Sequence, residues 1–91
     1  MKLRIDVKKS HIKNGKRDSG KYCPIALAYK SATKSNSFFY VSSDKIRGYD
    51  NNDKYFVALL PNEAKQFIKK FDSLKPKNKF VPFSFEIEIY H

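Results

Sequence analysis

Few side chains in this chain have the types and spacing that reactions need. His11 and Cys23 would form a nucleophile and its base, since a thiol at a helix start ionises readily and an imidazole can accept its proton. The pair stands alone. The other histidine, His91, is the terminal residue, and no oxyanion donor or further acid converges with the two. Cys23 therefore reads as a small packed cap at the head of a helix, and the chain is expected not to be an enzyme. Asp50 and Asp53 flank Asn51 and Asn52, but this loop lacks the oxygen set that a hard cation requires and has turn chemistry instead. The expectation is no metal and no cofactor.

Charge carries more information than any reactive group. Residues 1–49 hold 12 basic residues against 3 acids, whereas residues 50–91 hold 7 against 6. Within the first half, residues 8–21 place Lys8, Lys9, Lys13, Lys16, Arg17 and Lys21 against the single acid Asp18. A field of one sign on one part of a small protein attracts polyanions. Gly15 and Gly20 would let the backbone approach a phosphate, and a helix starting at Pro24 would offer free N–H groups. The expected anion contacts are Lys13, Lys16, Arg17, Lys21 and Arg47. No P-loop spacing is present, and a plain solvated loop fits residues 8–21 about as well. Tyr49 and Tyr40 are candidate stacking residues for a base or nucleotide. The first strand lacks an aromatic, however, and Lys54-Tyr55-Phe56-Val57 departs from the RNA-recognition pattern. Phe38, Phe39, Tyr40, Tyr49 and Tyr55 are thus expected chiefly as core or sheet packing.

These residues must be positioned by elements that the hydrophobic period marks out. Leu3, Ile5 and Val7 alternate with polar residues as in a half-buried strand. Ser10 to Gly15 suggests one capped helical turn closed by a left-handed glycine, and residues 16–21 an exposed loop. Pro24 suits the first position of a helix, with Ile25, Ala28, Tyr29 and Ala32 on one face. Phe38–Val41 and Tyr55–Leu60 read as strands, with a small piece at Lys45–Arg47 between them. A helix from Pro61 carries Ala64, Phe67, Ile68 and Phe71 as an apolar stripe, and Phe83 to Ile89 alternate in a last strand that Pro82 places at an edge or entry. The fold class is α+β, a four- to five-stranded antiparallel sheet packed on two helices, in ferredoxin-like βαββαβ order. The chain reads as one domain, 1–91, with a basic loop insertion at 8–21. A single cysteine rules out an internal disulfide and favours an intracellular setting, and neither a signal peptide nor a membrane span is legible.

An ordered set of short patterns adds a setting. His11-Ile12-x-x-Gly15, Cys23-Pro24-Ile25-Ala26-Leu27-Ala28, Leu60-Pro61-x-x-Ala64-x-x-Phe67-Ile68-x-x-Phe71-Asp72 and Val81-Pro82-Phe83-x-Phe85 run from end to end. Together they resemble a group of small uncharacterised phage and prophage proteins over roughly residues 5–88. The resemblance implies a phage accessory protein in a bacterial cytoplasm, and analogy with other small phage proteins adds an expected role against host defences. The resemblance itself carries no assigned activity and no binding residues. The resulting expectation is a non-enzymatic protein that binds an anionic ligand, nucleic acid or a signalling nucleotide, through its basic loop. The alternative is an inhibitor that occludes a host defence protein, such as a CRISPR effector or nuclease, with aromatic anchors such as Phe38 or Tyr49. Neither reading involves a membrane, and both allow a homo-oligomer.

Overall fold

The computed structural model describes residues 2–34, 37–73 and 76–91. Its elements are β1 (Lys2–Val7), α1 (Lys9–Asn14), α2 (Pro24–Thr33), β2 (Phe39–Val41), β3 (Lys45–Tyr49), β4 (Tyr55–Leu59), α3 (Asn62–Asp72) and β5 (Phe83–Tyr90), with a 3-10 turn at Lys77–Lys79 before β5. The fold is α+β. Five antiparallel strands lie in the order β1-β5-β4-β3-β2, and the helices cover one face.

The strand at Lys45 is longer than its sequence suggests and completes a β2–β3–β4 meander through turns at 42–44 and 50–54. This meander corrects the ferredoxin-like arrangement. In that arrangement each helix joins two strands that are parallel and held apart by a third, whereas here α3 links β4 to its own antiparallel neighbour β5 and β1 lies at the edge of the sheet. Short turns keep β2 and β3 beside β4, so β1 pairs with β5 alone, in register from Lys2 opposite Glu88 to Val7 opposite Phe83. Pro82 marks entry into β5, an inner strand, and not an edge.

One face of the sheet makes the core. Ile5, Val7, Val41, Ile46, Phe56, Ala58, Phe85, Ile87 and Ile89 meet Ile25, Ala28 and Tyr29 of α2 and Ala64, Phe67 and Phe71 of α3. Ala32, expected on the buried face of α2, is exposed in its last turn. The Tyr29 ring lies 4.8 Å from Phe39 and 5.9 Å from Phe56, centroid to centroid. Burial, with the Asp50 charge second, pushes its phenol up to about 12. Phe56 and Phe71 are fully enclosed, and truncating either to Ala should cost about 3–5 kcal/mol.

The start of the chain departs from expectation in detail. Ser10 lies inside α1, which begins after Lys8, and the His11 Nδ1 accepts the Lys8 N–H at 3.0 Å. Gly15 closes α1 with φ −71°, so no left-handed turn is needed there. Its value is bulk, because a Cβ would sit 2.6 Å from the Pro24 ring.

Candidate functional site

The basic segment is fastened to the body at Lys13, Gly15, Arg17, Asp18 and Gly20. The Lys16 N–H donates to the Tyr22 carbonyl at 2.8 Å, and the Val41 N–H donates to the Gly20 carbonyl at 2.8 Å. The Asp18 N–H donates to the Asp72 carboxylate at 2.9 Å. Arg17 donates from Nε to the Phe71 carbonyl at 3.1 Å and holds its guanidinium 5.3 Å from the Phe71 ring centroid. Lys77 reaches back to donate to the carbonyls of Lys13 and Gly15, at 2.9 and 2.8 Å.

This geometry corrects the phosphate cradle. Gly15 and Gly20 are buried, and a Cβ on Gly20 would lie 2.4 Å from the Tyr40 ring, so both glycines accommodate rings and leave no opening for a phosphate. The head of α2 is closed as well. Cys23, Pro24, Ile25 and Ala26 are all buried, and the Cys23 Sγ takes the Ala26 N–H at 3.4 Å. Arg17 caps the last turn of α3, where a cation complements the helix dipole.

Cys23 and His11 do not form a reactive pair. Burial raises the Cys23 thiol above its ordinary value, the reverse of an activated thiolate. The His11 ring, lowered by burial and by Lys8, is held neutral; its Nδ1 is occupied as an acceptor, so its proton sits on Nε2, 3.3 Å from the Ser31 Oγ. Asp50 accepts the N–H groups of Lys54 and Asn52 at 2.9 and 2.8 Å and meets the His91 Nε2 at 2.8 Å. These contacts, the Lys54 N–H first, hold its carboxyl below the usual range. Among the described residues no cluster of metal-ligating side chains occurs, and no helix is long and apolar enough to cross a membrane.

The helix-free face of the sheet is a different surface. Strand alternation places Tyr40, Arg47, Val57 and Tyr90 in one row across β2, β3, β4 and β5, and Tyr49 beside Tyr55 in the next. Tyr40, Tyr49, Tyr55 and Tyr90 are 39, 47, 51 and 58% exposed. That exposure corrects the core alternative expected for Tyr40, Tyr49 and Tyr55, which pack along the sheet surface instead; only Phe39 of this stretch packs into the core, while Phe38 is also exposed. The Tyr49 and Tyr55 rings meet edge to face, with centroids 5.8 Å apart. A depression of about 390 Å³ is lined by Phe38, Tyr40, Arg47, Gly48, Tyr49 and Tyr55. Gly48 permits its shape, since a Cβ there would lie 2.3 Å from the Phe38 carbonyl oxygen and push β2 away.

Of the expected contacts, the structure thus brings Arg47, Tyr40 and Tyr49 together. Lys21 stands at their margin, its Nζ 5.0 Å from the Phe38 ring centroid. Lys16 lies over the Tyr22 ring at 5.4 Å, Lys13 is exposed on α1, and Arg17 is structural. Tyr55 and Tyr90 complete the face and were not expected in it. Tyr90 did carry a signal, because it shares parity with Ser84, Glu86 and Glu88. Comparison with family models, curated proteins and solved structures found no match to this chain.

Proposed function

We propose that the protein is a non-enzymatic binder of single-stranded nucleic acid or a related nucleotide, with the tyrosine face of its sheet as the binding surface. The observation that supports this most directly is the gathering of four exposed tyrosines and Arg47 on the side of the sheet that no helix covers. Aromatic platforms hold bases at about 1–3 kcal/mol each, whatever the sequence, because every base has a π-face. Arg47 supplies the cation that a phosphate needs or a plane on which a base can stack. Among the described residues Arg47 has no carboxylate partner. The wider positive charge raises the rate of encounter. The anionic ligand of the sequence reading is retained, and its seat moves from the 8–21 segment to the sheet. In the phage setting that the sequence resemblance implies, such a protein would withhold a nucleic acid or signalling nucleotide from host defence.

A second reading draws on Leu59 and Val57, which lie beside the tyrosines on the same face. An exposed surface of Tyr, Arg and aliphatic residues also suits a protein partner, here a host defence enzyme blocked by contact.

Fluorescence anisotropy with a labelled oligothymidylate tests the first reading. The Tyr49→Ala/Tyr55→Ala double variant should bind at least about 10-fold more weakly, as expected for the loss of one or two stacked bases. Wild-type affinity should fall with salt at a log–log slope of about −0.7 per phosphate contacted. Undiminished affinity in the double variant would refute base stacking here. No oligonucleotide binding, with salt-insensitive capture of a protein, would favour the second reading.

A further inference from the structure

We infer that a bound single strand does not end on the tyrosine face but turns over the β2 edge at Phe38 and continues into a second, lysine-lined pocket beside α2. This inference rests on the face being a base-stacking surface. The second pocket, of about 230 Å³, is lined by Lys21, Tyr22, Leu27, Lys30, Phe38 and Phe39, among others. It is smaller than the roughly 300–1,000 Å³ usual for a self-sufficient small-molecule site. It does, however, share Phe38 with the 390 Å³ depression on the sheet, so the two hollows meet at one exposed ring. An extended ligand that fills the larger hollow has the smaller one as its continuation.

The chemistry of the second pocket matches the first in kind. Tyr22 and Phe38 are both more than half exposed, and each has an ammonium nearby: Lys16 Nζ at 5.4 Å from the Tyr22 centroid and Lys21 Nζ at 5.0 Å from that of Phe38. A base on either ring would bring its phosphate within reach of a lysine. Lys30 adds a third cation from the exposed side of α2. Among the described residues, none of Lys16, Lys21 and Lys30 is paired with a carboxylate. Lys21 is held there by the fold. The Gly20 carbonyl accepts the outward N–H of Val41, so the chain runs along the free edge of β2 and delivers the next residue beside it. Sheet tyrosines, Phe38, Lys21 and Lys30 thus form one path for a polynucleotide, and a lone mononucleotide would use only its first part.

Oligothymidylates of two to eight nucleotides, titrated by NMR and anisotropy, separate the alternatives. Wild-type affinity should rise about 10-fold or more beyond the length that saturates the face. The Lys21→Glu/Lys30→Glu variant changes two exposed side chains, and circular dichroism checks its fold. It should weaken dinucleotide binding only a few-fold, through the field at the margin of the face, yet lose the gain with length altogether. Its salt slope on the octamer should be shallower by about 1.4, as for two phosphates, and Lys21→Arg/Lys30→Arg should restore both. A wild-type affinity that does not grow with length overturns the path and leaves the tyrosine face standing, as does a Glu variant that gains with length like wild type. Absence of binding at every length overturns the face and the path together.

Discussion

Residues 8–22 gather six cations and the open face of β2–β5 gathers four exposed tyrosines around Arg47, and the two regions use their polar groups in opposite ways. In the first region the backbone and Arg17 turn inward, and of the cations the lysine side chains alone stay exposed. Arg17 caps α3, Lys77 clasps the end of α1, and Gly15 and Gly20 receive the rings of Pro24 and Tyr40. In the second region Arg47 and four tyrosines turn outward from a sheet whose other side already satisfies the core. Density of charge in a sequence therefore marks where cations are, but the bonds already made to them decide which remain available to a ligand.

The sharpest way to break this comparison is Arg17→Ala. Removing the bond to the Phe71 carbonyl and the contact with the Phe71 ring should cost about 1–3 kcal/mol in urea denaturation. Oligonucleotide affinity per folded molecule should stay within about 2-fold. A large loss of affinity at unchanged stability would return Arg17 to the binding surface. A smaller effect should come from Gly20→Ala, where the added methyl must displace the Tyr40 ring and should destabilise by about 1 kcal/mol. In a Tyr40→Ala background the same change should be nearly silent, and a double-mutant cycle reads that coupling directly.

An effect confined to alkaline pH, and the smallest near neutrality, concerns the buried tyrosine. Tyr29 is held neutral to about pH 12 in the folded state, against an ordinary value of 10.0. A raised phenol pKa means that the unfolded chain releases its proton first. Stability from this source is full below pH 10 and declines as pH rises towards 12. Tyr29→Phe should flatten that alkaline decline in the melting temperature. An identical decline in the variant would show that burial of this ring is not its cause.

Much of the architecture was legible in local pattern. The α3 stripe, Pro24 at the first turn of α2 and the alternation in β1 and β5 all appear where period and capping put them. The anchoring of residues 16–21 was not legible. Arg17 and Asp18 are held by Phe71 and Asp72, 54 residues along the chain, and no local rule links a polar loop to so distant a partner. Strand β4 hid the site for another reason. Tyr55, Val57 and Leu59 are as apolar as Phe56, Ala58 and Leu60, so its sequence alone could not say which set faced the helices. Register with β3 decided it, since Phe56 lies opposite Gly48 on the packed side and Tyr55 opposite Tyr49 on the open one.

The seating of β5 between β1 and β4 has a consequence for the order in which the protein can assemble. The meander of β2, β3 and β4 is made from neighbouring stretches of chain, but β1 has no sheet partner until Phe83–Tyr90 is in place. Pairing the first strand with the last closes a loop of nearly the whole chain, a contact of high order that slows folding. On a ribosome β1 must wait, unpaired, until Phe83–Tyr90 emerges. A chain truncated before Phe83 would therefore lose β1 as well as β5, and with them the support beneath α2.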